Sequence, residues 1–445
     1  MKIRGLLVAA GLLILLGVGI WWSNRISKEK ESKPPADASP KIVAVTEGDI
    51  RRIEVARRDG EKTVIEKDAS GSWKMTSPAS YPLDQFTVQS FVSAAASVSS
   101  DKVIEEKTAD AGQYGLAQPA LTLTLTLKDG KSKVLRVGDD APAGSASYAS
   151  AEGDPHIYTI ASYTKESFNK TAADLRDKRM LTFNVDKLAR ITLAAKKTET
   201  EFGKNAQGEW QILKPKPYRA DAFTVDDLSR RLQDVKLDAT LSADDLKKNA
   251  AAFNSAAPLA VITATDAAGT QKLEIRKTKD DKYYARSSVV DGTYTVEAST
   301  AKVFDKSTDD FRNKKLFDFG FNDPSRIDFH GPTVQTSVAK GGEKWFRNGK
   351  PLESGALQSF LDKLRDLSAT KYAETGFGTA AIDIAVVSGD GKKTEKVSLS
   401  KSGAEWLARR ENEPALYVVS DQSVEDLEHA AAELKEEPAK PPAKK

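Results

Sequence analysis

The feature that most constrains this chain is that it repeats itself. Pro82-Leu83-Asp84-Gln85-Phe86-Thr87-Val88 returns as Arg219-Ala220-Asp221-Ala222-Phe223-Thr224-Val225. Pro351-Leu352-Glu353 opens a third copy, in which Gln358-Ser359-Phe360 matches Gln89-Ser90-Phe91 letter for letter. Trp73, Trp210 and Trp345 precede the three copies, and Tyr158, Tyr294 and Tyr417 follow them, each ten residues before Phe168, Phe304 or Leu427. Self-similarity at a long, nearly fixed period means one supersecondary unit used several times. The 445 residues therefore divide into three modules, in line with the usual domain size.

Each copy has the same local grammar. Alternating apolar residues over Ile50–Ile65 flank Arg58-Asp59-Gly60-Glu61, where Asp-Gly supplies the positive φ of a tight hairpin. A short strand carries the tryptophan. A helix follows, clearest where Leu357, Phe360, Leu361 and Leu364 fall at i, i+3, i+4, i+7, with Asp84 and Asp221 as N-caps in the other copies. Leu121-Thr122-Leu123-Thr124-Leu125-Thr126-Leu127 then alternates strictly, so its leucines share one face of a strand. Asp129-Gly130 turns it back, as Asp266–Gly269 and Asp390-Gly391 do in the other copies. A strand with the tyrosine and a closing helix end the unit. Asp174–Phe183 (DLRDKRMLTF) recurs as Asp310–Phe319 (DFRNKKLFDF) and joins one module to the next. The sum is an α+β fold of antiparallel hairpins covered by helices.

The chain opens differently. No charge occurs from Gly5 through Asn24, and at about 1.5 Å per helical residue this run spans roughly 30 Å, a hydrocarbon core. Trp21 and Trp22 close it at the position of an interfacial aromatic belt, and because they follow at once Gly17-Val18-Gly19 fits a signal-peptide cleavage site poorly. The sequence thus predicts a cytoplasmic N-terminus at 1–4, a single transmembrane anchor at 5–24 and a flexible tether at 25–44. Modules follow at 45–182, 183–318 and 319–434, and the proline- and lysine-rich 435–445 reads as a disordered tail. Flanking lysines and arginines alone lean toward a cytoplasmic bulk. The short basic N-terminus favours export, and the expected location is the inner membrane with the bulk in the periplasm.

Chemistry is sparse. Lys+Arg total 67 against 64 Asp+Glu, a net charge of +3, which gives no field for nucleic acid. The absence of cysteine excludes disulfides, thiolate nucleophiles and cysteine metal sites. His156, His330 and His429 are the only histidines. Gly130-Lys131-Ser132 imitates the end of a phosphate loop, but Leu125 stands where the first glycine belongs and the segment reads as a hairpin. Asp139-Asp140 and Asp318…Asp323 lack the alternating ligands of a calcium loop and read as solvated turns. The repeated tryptophans read as core rather than a sugar platform, and Lys178-Arg179 and Lys314-Lys315 as solvated charge. No residue is assigned a catalytic, cofactor-binding or metal-ligating role, and no cofactor is expected.

Tyr114-Gly115-Leu116 with Pro119, Val137-Gly138, Ala149, Tyr158 and Leu175-Arg176-Asp177-Lys178 together resemble the bacterial domain of unknown function 4340 family. The second and third copies depart from this signature: Phe253 and Pro258 replace it in one, and Phe377-Gly378 is all that survives in the other. The resemblance implies a membrane-anchored envelope protein associated with transporters of the ATP-binding-cassette (ABC) export or gliding-motility type. It implies no catalytic residues. The expectation is a non-enzymatic scaffold with a membrane-protein partner such as an ABC transporter subunit. The alternative is a glycan- or ligand-binding or hydrolytic envelope protein.

Overall fold

The computed structural model describes residues 40–438 apart from 108, 109, 143, 322 and 323. The expected anchor at 5–24 lies outside the described residues, as does most of the tether. Among the described residues no helix is long and apolar enough to cross a membrane. The fold is α+β, with antiparallel sheets and eight helices among the described residues. The chain divides into two compact units, one ending at Lys178 and one beginning at Arg179. The first unit holds one module, and the second holds two.

Each module builds one large antiparallel sheet, and the strand order repeats. A first meander, a helix and a second meander follow one another, and the first strands of the two meanders pair at the centre. The central pairs are Ile50–Arg57 with Leu121–Leu127, Arg190–Ala195 with Ala257–Asp266, and Arg326–His330 with Ile382–Ser388. In the third module the remaining strands of the second meander are Lys393–Ser402, Glu405–Arg410 and Leu416–Ser420, with Lys371–Ala373 as a ninth strand at the edge. Lys102–Glu105 takes that edge in the first module. The second has none, because the same connection forms the helix Ala243–Ser255.

One face of each sheet is apolar and packs beneath the helix between the meanders. Leu121, Leu123 and Leu125 are buried beside Val88, Phe91 and Val92 of the helix Gln85–Ala96. Leu357, Phe360, Leu361 and Leu364 of Ser354–Asp366 do the same in the third module. The Asp84 and Asp221 carboxylates accept from the amides of Thr87 and Thr224 at 2.7 and 2.8 Å, as expected of N-caps. Trp73, Trp210 and Trp345 are all buried in their module cores, which settles them as packing residues. Tyr158, Tyr294 and Tyr417 are buried at equivalent strand positions.

Several boundaries differ from the sequence reading. Lys41–Ala44, placed in the tether, is a strand paired with Ser97–Ser99, and Val43 is buried. The first module closes at Lys178 rather than 182. Arg176 pairs with Leu83, whereas Arg179 already pairs with Lys236 and Met180 lies in the second module's core. The same division recurs at 313–314 rather than 318: Arg312 pairs with Ala220 and Lys315 with Ser368. Lys435–Glu437, read as tail, closes the third module by pairing Glu436 with Leu352. Lys435–Glu437 is held by backbone hydrogen bonds and by ion pairs of Glu436 with Lys350 and Glu437 with Lys344, so it carries no apolar pattern to announce it.

Candidate functional site

The face of each sheet turned away from its helix is polar, and in the third module it forms a cleft of about 780 Å3. Alternation along the strands creates it. Ile327 and Phe329 point to the core, so Arg326, Asp328 and His330 point outward. Asp383 and Ala385 do so between Ile382, Ile384 and Val386, and Lys396 and Ser398 flank Val397. Cross-strand register sets His330, Asp383, Ser398 and Arg409 in one row. Asp328, Ala385 and Lys396 form the next row. Small side chains at Ala385, Ser337 and Ser398 leave the floor low among long ones, which is why the face is hollow.

Charges in the cleft are unevenly satisfied. Asp328 accepts from Arg326 Nε and Nη2, each at 3.0 Å, and from Ser337 Oγ at 2.5 Å. Burial raises this carboxyl, but those donors outweigh it and hold it below the usual carboxylate range. Lys396 pairs with Glu411 at 3.0 Å. Asp383 accepts only from Ser398 Oγ, at 2.5 Å, and has no cationic partner among the described residues. The Arg409 guanidinium lies 4.5 Å from the Phe377 ring centre and makes no ion pair or hydrogen bond among the described residues.

One wall of the cleft is fixed by an ion network joining the second and third modules. Arg410 donates to Glu413 at 2.7 Å and to Glu395 at 3.0 Å, and also to the Leu316 carbonyl. Arg219, from the second module, reaches Glu413 at 2.9 Å, Asp318 and the Lys315 carbonyl. Tyr417 donates to Glu413 at 2.6 Å. Burial works against the Arg219 cation, yet Asp318, Tyr417 and Glu413 raise its pKa further. Beside it Arg312 is clamped between the rings of Tyr218 and Tyr372, 3.9 and 3.4 Å from their centres.

The residues singled out from sequence are scattered. Asp139 pairs with Arg58 at 2.9 Å and Asp140 with Lys165 at 3.0 Å, so the two neighbours serve separate contacts. A hydrogen bond from Ser147 and the ion pair with Lys165 lower the Asp140 carboxyl. His156 Nδ1 lies 2.5 Å from Asp154, which also accepts from Tyr158; burial and that contact push the Tyr158 phenol up to about 12. Only His330 belongs to the cleft, while His429 faces Glu433 at 3.6 Å on the closing helix. Gly130-Lys131-Ser132 is a hairpin turn, with Gly130 at φ +81°. Asp318 belongs to the ion network, and Asp323 lies outside the described residues. Among the described residues no group of His, Asp and Glu is gathered to hold a metal. Asp383, Ser398 and Arg409 were not singled out from sequence. Each is an ordinary outward residue of its own strand, and only the register joins them.

The signature residues explain themselves as packing. A Cβ on Gly138 would lie 2.0 Å from the Tyr114 carbonyl oxygen, and one on Gly115, at φ +69°, 2.4 Å from Asp139. The close backbone approach demands glycine at 138, and the left-handed backbone favours it at 115. Comparison with known families returns the one described as Domain of unknown function (DUF4340), over residues 73–252 and 210–384. The chain belongs to this family. The two matched segments overlap and each spans parts of two modules, so family membership and internal repetition are the same observation. No match was found among curated proteins or solved structures.

Proposed function

We propose that this family member is a non-enzymatic envelope scaffold. In this reading residues 5–24 anchor it in the inner membrane, the modules stand in the periplasm, and they hold a membrane-protein partner such as an ABC transporter subunit. The observation that carries the reading is a repeated exposed aromatic. Phe86 and Phe223 occupy the same position, two residues after the capping aspartate, and are 84% and 75% exposed. A lone exposed phenylalanine is unremarkable, but the same one on two modules suits a surface that is covered when a partner binds. The helix Gln85–Ala96 is also free of charge along its whole length. Anchoring raises the effective concentration of such modules for a partner in the same membrane.

The test has two arms. Alkaline phosphatase fused after Lys445 is expected to be active in an exporting host; an inactive fusion with an active cytoplasmic reporter would reverse the topology. In-cell crosslinking is expected to join the chain to a transporter subunit, and Phe86→Ser with Phe223→Ser to remove that product while the melting temperature stays put. An identical crosslink pattern in the double variant would contradict the scaffold surface. The cleft of the third module favours a second reading, ligand binding, which needs no partner protein.

A further inference from the structure

The second module shows what the cleft of the third lacks. Register places Arg286 where Arg409 stands, Glu274 where Ser398 stands, and Val261 where Asp383 stands. Phe253 and Phe377 correspond as the ring beneath that arginine. In the second module the face is internally satisfied. Arg286 donates to Thr293 Oγ1 at 2.8 Å and to the Ala250 carbonyl at 3.4 Å, and Glu274 is held by Arg276 at 2.7 Å. Ala250 and Phe253 belong to the helix Ala243–Ser255, which replaces the edge strand. The described residues of the third module form no such helix, and the carboxylate beside the arginine is a serine. Among the described residues Arg409 is left with unused donors, while Asp383, with no counterpart in the second module, is a carboxylate without a cation.

From this we infer that the cleft of the third module is a binding site for a short zwitterionic peptide, its ammonium on Asp383 and its carboxylate on Arg409. One strand separates the two residues, so their Cα atoms stand about 10 Å apart. An extended chain covers roughly 3.3–3.6 Å per residue, which makes about three residues the fitting length. The hollow over Ala385 gives such a ligand room, and Arg326, Asp328, Lys396 and Glu411 already pair among themselves, so they form walls without competing for its ends. The cleft walls are set before binding, because Arg410 and Glu413 are pinned by Glu395 and Arg219. Bidentate contact of Arg409 with a carboxylate suits guanidinium geometry, and Phe377 holds that plane from one side.

The full chain in detergent, titrated calorimetrically with trialanine bearing free termini, tests this. A dissociation constant on the order of 0.1–1 mM is expected for two charge-assisted anchors. Acetylating the amine or amidating the carboxylate of the peptide should each weaken binding at least about tenfold. Asp383→Asn and Arg409→Gln should match those losses in turn, each being blind to the end it no longer holds. Both residues are exposed, and an unchanged melting temperature confirms that the variants fold. No heat at about 10 mM trialanine, at least tenfold beyond the expected constant, would overturn the inference. Capped peptides that bind as tightly as trialanine, or variants that bind it unchanged, would do the same.

Discussion

The second and third modules each build the same kind of sheet around a buried tryptophan, with the same central strand order, yet they finish their outer faces in opposite ways. In the second, the connection after Ala222–Gln233 folds into Ala243–Ser255 and brings Phe253, 1% exposed, under Arg276 and Arg286. In the third, the corresponding connection contributes the edge strand Lys371–Ala373, and Phe377 stays half-buried under Arg409 alone. The cores are interchangeable in kind, whereas the polar faces are not. A repeat thus keeps what packing demands and varies where solvent would otherwise be the only neighbour.

The largest expected effect separates the two phenylalanines. Phe253→Ala should cost about 3–5 kcal/mol, because a fully buried ring leaves a cavity and two arginines lose their support. Phe377→Ala should cost less than about 1.5 kcal/mol. Denaturant unfolding followed by circular dichroism reads both, and equal losses would break the comparison. Next comes the seam between these modules. Arg312→Ala removes a cation from between Tyr218 and Tyr372 and should cost about 2–4 kcal/mol. Arg312→Lys should recover only part, since an ammonium cannot stack as a planar guanidinium does. Full recovery by lysine in the same measurement would reduce the clamp to simple charge.

The smallest effect is electrostatic and present in both modules. Hydrogen bonding from Lys214 outweighs burial to lower the Glu201 carboxyl, and Asp328 is lowered against its own burial by Arg326 and Ser337. A carboxyl depressed only in the folded state binds fewer protons there than in the unfolded chain. Its stabilisation is therefore present above the ordinary carboxylate pKa, about 4, and is lost as pH falls through the depressed value. Melting temperature should drop on acidification, and Glu201→Gln or Asp328→Asn should flatten that drop while lowering stability at neutral pH. A variant that keeps the full acid slope would remove its carboxyl from the account.

The α+β class, the threefold repeat, the capping aspartates and the tryptophan cores were legible in the sequence because each leaves a local mark: a period, a turn dipeptide, an apolar stripe. Lys41–Ala44 left too short a mark beside a charged, proline-bearing stretch. Lys435–Glu437 left none, since it is held by backbone groups that every residue possesses and by two ion pairs with distant lysines. The edge of the sheet was equally hidden. The cleft is the extreme case: Asp383, Ser398 and Arg409 sit on three strands, and their meaning comes from register and from comparison with Val261, Glu274 and Arg286.

That comparison offers its own reversal. Ser398→Glu would place beside Arg409 the carboxylate that Glu274 supplies in the second module, closing the third module's cleft from within. The account predicts that this variant keeps or raises its melting temperature and binds trialanine at least about tenfold more weakly than the parent chain. A folded Ser398→Glu chain that binds trialanine as tightly as the parent would contradict it.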